Sequence, residues 1–382
     1  MQVRTPERRY DLDWLRVIAV LVLVPFHTAR IFDIWEPFYA KNDQVSEALS
    51  HLFIGAVGPW HMPLFFLLAG AGTWFALGFR SGGQYVRERF KRLIVPLVFG
   101  VLVLVPSQSY LGALTYGNFD GSLFQYYPRF FQVGDLTGYM GGFTPAHLWF
   151  ILFLFGLSLV ALPLFLYLRR EAGQRLIVKL ADFFTRPGAI FLPAIPLVVM
   201  IALPDIGGKN PFYYLALFIY GSVLMADTRF GEALDRHKTP ALILGSSILL
   251  ALWIADVIGV GVPGWLWGIC YMCFAAWFLL VAILGFGQKY LNFVNAALKY
   301  ASQAAYPFYL LHQTVIVIVG FYVVQWNIGV LLKFLIIVVA ATVVTALGYE
   351  LLVKRTNVTR FLFGMKVQVK KPPALRSVEQ KV

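Results

Sequence analysis

LDWLRVIAVLVLVPFHTARIF, residues 12–32, is apolar from Val17 to Phe26 and carries charge or polarity only near its ends. The run is about as long as a bilayer-spanning helix, roughly 20 residues. Leu148–Leu168 and Ile328–Tyr349 are comparable runs, and nothing in the sequence is polar enough to wrap a soluble core around them. Of 382 residues, 59% are hydrophobic and 13% charged, against about 25% charged in an average soluble domain. The sequence therefore predicts an all-α, polytopic transmembrane helix bundle. The net charge of +13 does not signal nucleic-acid binding, because the basic residues fall in short clusters between apolar runs and do not gather on one folded face.

Working outward from the first run, about ten spans are expected, near 13–32, 50–79, 93–115, 146–168, 188–204, 211–226, 240–259, 263–287, 303–324 and 328–352. The fifth and sixth are short, and the second is expected to tilt or break at Pro59 or Pro63. Alternate gaps are strongly basic. They hold Arg80 to Arg92, Arg169 to Arg186, Arg229 to Lys238, and Lys289 with Lys299, and the C-terminal segment adds more. The opposite loops hold Lys41, Arg129 and Lys209. By the positive-inside rule the basic gaps and both termini face the cytosol. Trp35, Trp60, Trp265 and Trp326 then fall near outer ends, as an aromatic belt would.

The start of the chain, with Arg4, Arg8 and Arg9 before the apolar run, faintly resembles a signal peptide, but His27, Arg30 and Asp33 follow where a small-residue cleavage site would be. It reads as a retained first helix. Residues 1–365 form one transmembrane domain, and 366–382 read as a basic, disordered cytosolic tail near anionic lipid. The outer loop 116–145, rich in Gly, Tyr and Phe, suits a lid or a sugar platform, or equally a plain interfacial segment. Cys270 and Cys273 lie inside an apolar run with no second pair or nearby histidine, so they read as buried small hydrophobes, and no metal site is expected.

Ionisable groups at membrane depth are costly and are default site candidates. They are Arg16, His27, Arg30, His61, His312 and Glu350, with Asp13 at the inner edge. Eleven residues separate Arg16 from His27, close to three helical turns, so both lie on one face about 16 Å apart along the axis. An arginine at the cytosolic mouth can hold a phosphate, and a histidine deeper in can take a proton near neutral pH. Asp13 can orient Arg16. Equally, Arg16 can snorkel to headgroups and His27 can make a helix–helix hydrogen bond. Arg30 shares the His27 face and can sense an anionic acyl tail or an acceptor, although snorkelling explains it too. His312 reads as a second catalytic or acceptor group or as a structural partner of Gln313 or Tyr309. His61 reads as structural, and His147 as an acceptor contact or an interface anchor. Glu350 can pair with Arg16 or face water. Arg87, Arg89 and Arg92, in a dense basic segment ending at Pro96, can grip the phosphates of a coenzyme or serve orientation alone. No Ser, Cys or carboxylate stands out as a nucleophile, and no phosphate-binding glycine loop is present.

Together these residues resemble the acyltransferase 3 family of multi-spanning membrane acyltransferases, in particular its branch acting in glucan biosynthesis. Arg16-x10-His27 is similar to that family's central motif, and Phe65-Phe66-Leu-Leu-Ala69-Gly70 resembles its FFxxSG element. Arg87 to Pro96 looks like its basic segment before the third span. Ala146-His147-Leu148-Trp149-Phe150 and Tyr309-Leu-Leu-His312 look like its HLWF and YLxH elements. The ending Tyr349-Glu350, then Arg360-Phe-Leu-Phe-Gly-Met, is similar to the glucan branch. Ala69 departs from the pattern, so any role for the family serine's hydroxyl is absent or unneeded here.

The resemblance implies a cytosolic acyl-CoA co-substrate with no permanently bound cofactor. It also implies an extracytoplasmic acceptor, a carbohydrate or glycolipid, and the cytoplasmic membrane of a bacterium as the setting. Some members carry an extra soluble hydrolase-like domain, for which this chain leaves no room. The expected reaction is O-acyl transfer. Arg16, Arg87, Arg89 and Arg92 hold the CoA end and His27 acts as general base. His147, His312 and Arg30 meet the acceptor or the acyl tail. Acetyl and succinyl both remain open. The rival readings are a transporter or exporter of a sugar or lipid-linked substrate, an enzyme whose His27 carries the acyl group covalently, and an inactive scaffold.

Overall fold

The computed structural model describes residues 8–368, so most of the 366–382 tail lies outside the described residues. Every regular element among them is a helix. The helices are α1 (Tyr10–Ala29), α2 (Ala48–Ala76), α3 (Gly82–Thr115), α4 (Leu123–Phe130), α5 (Ala146–Leu168), α6 (Glu171–Phe184) and α7 (Ala189–Ile201). They continue with α8 (Pro211–Leu224), α9 (Thr228–Val257), α10 (Gly264–Tyr290), α11 (Ala296–Val323), α12 (Val330–Val353) and the short α13 (Asn357–Leu362). Eight of these, α1, α2, α3, α5, α9, α10, α11 and α12, are long and apolar enough to cross a membrane. The fifth and sixth expected spans coincide with α7 and α8, which are shorter. α7 is bent by 115° against α6, so that pair forms either a broken span or a re-entrant turn. The protein is thus a multi-pass membrane protein.

Pro59 and Pro63 do not interrupt the second span. α2 runs continuously past both, and its irregularity is a π-helical stretch at Ala48–Ile54. A proline removes one backbone donor, and packing against neighbouring helices tolerates the loss within a membrane bundle. α2 packs along α8, α9 along α10, and α1 along α11, the most enclosed of the long helices. The α2–α8 contact depends on two glycines. A Cβ on Gly70 would overlap the Phe218 carbonyl, and one on Gly221 would overlap the Leu67 carbonyl. Backbones approach this closely in membranes only through small residues. The glycine that closes the FFxxSG-like element therefore has a packing role, and Ala69 beside it receives a hydrogen bond from Thr73 Oγ1 at its carbonyl oxygen, 2.9 Å.

The loop between α3 and α5 is better organised than its sequence suggests. It contains α4, opened by a reciprocal Ser122–Gln125 capping box. The Tyr126 hydroxyl meets Ser109 Oγ at 2.7 Å and receives the Gly142 N–H at 2.7 Å, tying the loop to α3. Asp135 accepts from the Thr137 hydroxyl and the Thr137 and Gly138 N–H groups. Burial alone would raise its carboxyl pKa, and these bonds outweigh that, holding it below the ordinary value.

Replacing Gly221 by Val should force α2 and α8 apart and cost about 1–3 kcal/mol or more, seen as a lowered thermal midpoint in detergent. Gly72→Ala, where a Cβ meets nothing within 4 Å, should leave the midpoint unchanged. Equal midpoints for the two variants would remove the close-contact role of Gly221.

Candidate active site

The α1–α11 pair brings His27 and His312 together with ring centroids 5.3 Å apart. His147 completes the cluster, 5.1 Å from His312 and nearly perpendicular to it. His147 lies in the turn that opens α5, directly after Ala146, which takes a left-handed φ of 46°. That conformation is rare and costly for a residue with a Cβ. It turns the chain so that His147 points inward, 6% exposed, instead of lying along the surface.

Backbone carbonyls fix two of the rings. His312 Nδ1 lies 2.6 Å from the Tyr309 carbonyl and His147 Nε2 lies 3.2 Å from that of Leu310. A carbonyl only accepts, so these nitrogens carry the protons, which leaves lone pairs on His312 Nε2 and His147 Nδ1. Both of those atoms, and His27 Nδ1, are buried without a hydrogen-bond partner among the described residues. A buried unpaired polar atom costs about 1–3 kcal/mol, so three of them in one place mark a site that polar groups of a ligand would complete. The histidine cluster is not arranged as a metal site, since no group of three His, Cys, Asp or Glu residues among the described ones could hold an ion.

A cover closes the cluster at the end of α1. Phe38 stacks on His27, with centroids 6.2 Å apart and planes 12° apart. Tyr39 packs edge to face with both Phe38 and Tyr139, which are tilted against each other, and the Tyr39 hydroxyl donates to the Thr137 carbonyl at 2.9 Å. The segment after α1 and the loop before α5 thus form one aromatic lid. Its ionic frame is Arg30–Asp33 at 2.6 Å, Lys41–Asp33 at 2.6 Å and Arg30–Glu36 at 2.9 Å. At the opposite end of the bundle Arg16 pairs with Asp13 at 3.0 Å and is 42% exposed. Arg89 donates to Thr73 at 2.7 Å and lies over the Tyr85 ring, while Arg92 pairs with Glu88 at 3.2 Å. Arg87 is exposed.

A stripe on α11 joins the two regions. The Tyr306 hydroxyl donates to the Arg92 carbonyl at 2.8 Å, and its ring lies parallel to that of Tyr309 at 6.3 Å. Tyr309 contacts both His312 and His147 and donates to the His147 carbonyl at 2.5 Å. Tyr306 and His312 are six residues apart, about 9 Å along the helix.

The structure therefore gathers His27, His312 and His147 at one centre. Arg30 lies one turn beyond, clasped by carboxylates rather than extended to a surface. Arg16, Arg87, Arg89 and Arg92 lie at the other end. Asp13 orients Arg16 as expected, whereas Glu350 pairs with Lys354 at 2.8 Å and not with Arg16. His61 is structural, with Nε2 2.8 Å from the Ala19 carbonyl. Cys270 and Cys273 are free thiols within α10. Sequence reasoning missed Phe38, Tyr306, the buried Gln108–Gln313–Thr314 network behind His312, and the buried Asp33 and Lys333. The three-residue spacing of Tyr306, Tyr309 and His312 was a usable signal for the first tyrosine. Nothing local marks Gln108.

The sequence profile of the acyltransferase 3 family, described as "Acyltransferase domain", matches residues 9–350. Glucans biosynthesis protein C of Escherichia coli O6:K15:H31 (strain 536 / UPEC) is 22% identical over 96% of this chain and 96% of its own length. The protein of the same name from Escherichia coli (strain K12) is 21% identical over the same shares. No solved structure matches the chain. With the profile covering nearly the whole chain, the chain belongs to the acyltransferase 3 family.

Proposed function

We propose that this membrane acyltransferase moves an acetyl or succinyl group from cytosolic acyl-CoA to a hydroxyl of an extracytoplasmic carbohydrate or glycolipid. In this reading both termini and the arginine-rich end face the cytosol, which the charge bias of the loops supports. The observation that carries the proposal is the meeting of three imidazoles, each with an unpaired buried nitrogen, about three helical turns from Arg16 on the same helix.

The mechanism follows from chemistry and spacing. Arg16, Arg87, Arg89 and Arg92 meet the phosphates of CoA, where guanidinium groups bind with forked geometry. The extended pantetheine arm then reaches inward along the roughly 16 Å between Arg16 and His27. His27 removes the proton of the acceptor hydroxyl as its oxygen bonds to the thioester carbonyl carbon. The carbon–sulfur bond breaks, and the proton passes from the imidazolium to the departing thiolate. The lone pairs of His312 and His147 accept hydrogen bonds from acceptor hydroxyls and hold the attacking one in line. Arg30, at the lid, faces the acceptor or an anionic acyl tail.

His27→Ala should lower acyl transfer by about 10²–10⁴-fold, the usual contribution of a general base, in protein that still elutes as a folded species. Turnover of acyl-CoA by that variant at the unaltered rate would eliminate the mechanism. Arg16→Ala should weaken acyl-CoA binding roughly tenfold, about 1.4 kcal/mol, read as a smaller thermal stabilisation by acyl-CoA. If no acyl-CoA stabilises the folded wild-type protein, the donor assignment fails and a transporter reading gains. His312→Ala should raise the KM for the acceptor while leaving acyl-CoA stabilisation intact. Loss of donor binding in that variant would place His312 elsewhere in the site.

A further inference from the structure

Away from the histidine centre, a groove of about 570 Å³ runs down the flank of the bundle between the start of α2, the second half of α9 and the start of α10. Two of its walls are π-helical stretches, Ala48–Ile54 and Ile269–Ala275, a distortion common at functional positions. The walls are locked together, because the Tyr271 hydroxyl donates to the Gly55 carbonyl at 2.9 Å. The groove is therefore a fixed feature of the surface.

Its polarity is graded. At the end level with the lid, His51 Nδ1 and Asp256 Oδ2 lie 3.2 Å apart, and Trp35 sits edge-on to His51 at 5.4 Å. Farther along α9, Leu249, Leu252 and Trp253 line it, with Ser246 at the far end of that stretch. A surface that only has to touch lipid tails needs no carboxylate, and one placed at the edge of the hydrocarbon is costly. The ten residues from Ser246 to Asp256 span about 15 Å of helix, half of the roughly 30 Å hydrocarbon core. A groove of this length and volume accommodates a hydrocarbon chain. No lysine or arginine lines the groove, and its head end carries the Asp256 carboxylate with its partner His51 and an indole. A carboxylate beside an aromatic face is the chemistry that recognises an ammonium group.

We propose that this groove binds one acyl chain of a zwitterionic phospholipid from the leaflet at the lid end, its ammonium head held between Asp256 and Trp35. The bound lipid abuts the segment that carries Phe38, because Trp35 lies in the same stretch of chain and the Ile34 N–H donates to Ser50 Oγ of the groove wall at 3.1 Å.

The test is native mass spectrometry of the full chain released from nanodiscs that contain equal amounts of phosphatidylethanolamine and phosphatidylglycerol. The wild type should retain one phosphatidylethanolamine. Asp256→Asn should reduce that retention roughly tenfold, and Leu249→Trp, which fills the groove, should abolish it. Leu335→Trp, on the exposed face of α12, should retain the lipid as the wild type does. Equal retention of the two lipids by the wild type, or undiminished retention by Leu249→Trp, would overturn the proposal.

Discussion

The direct packing of α1 against α11 is the contact on which the rest of the molecule is arranged. It places His27 beside His312 in surroundings where imidazoles have few alternatives to each other and to backbone carbonyls. The remaining contacts of the centre hang on α11. Its Tyr309 carbonyl fixes the His312 ring, and its Leu310 carbonyl holds His147. Gln313 and Thr314 tie it to Gln108 of α3. A slip of α11 by one turn, about 5.4 Å, would break all of these together, so the geometry of the centre is set by helix register and not by any single side chain.

The two ends of the bundle handle charge in different ways. At the lid end Arg30 is 11% exposed, and Asp33, fully buried, takes both Arg30 and Lys41. Lys333 is likewise buried and satisfied by Asn42 and the Val324 carbonyl. These ions belong to the architecture of the cover, since removing one partner would leave an uncompensated buried charge. At the other end Arg16 and Arg87 reach solvent, and Arg92 shares the half-exposed Glu88 with Arg80. Guanidinium groups that already reach solvent are open to a phosphate, and the proposed transfer assigns that end to the coenzyme.

Much of this was legible in the residues. Apolar run length gave the long helices, and the eleven-residue step from Arg16 to His27 placed both on one stripe of α1. His61 meets a backbone carbonyl and Cys273 is buried as read, whereas Cys270 is only partly buried. The joining of His147 to the other two histidines was not legible, because it depends on a left-handed residue at Ala146 and on packing between segments far apart in sequence. Hydropathy also hid the ionic frame of the lid. Asp33, Lys41 and Lys333 each look interfacial when taken alone, and their burial follows only from pairing across a loop and a helix end. The loop before α5 read equally as a lid or a plain interfacial segment, because the hydroxyls of Ser109, Tyr126 and Tyr39 that tie it down leave no periodic trace.

The lid has one further consequence. Water is far more abundant than any sugar hydroxyl, and it is a competent nucleophile toward a thioester. A centre open at its outer end would squander acyl groups by hydrolysis. Phe38 lies parallel to His27, with Tyr39 and Tyr139 packed behind it, so the imidazole is screened from that side by apolar rings. A larger acceptor can displace the rings by offering its own apolar faces in exchange. For the proposed transfer, the aromatic cover thus acts as a kinetic partition between waste and delivery.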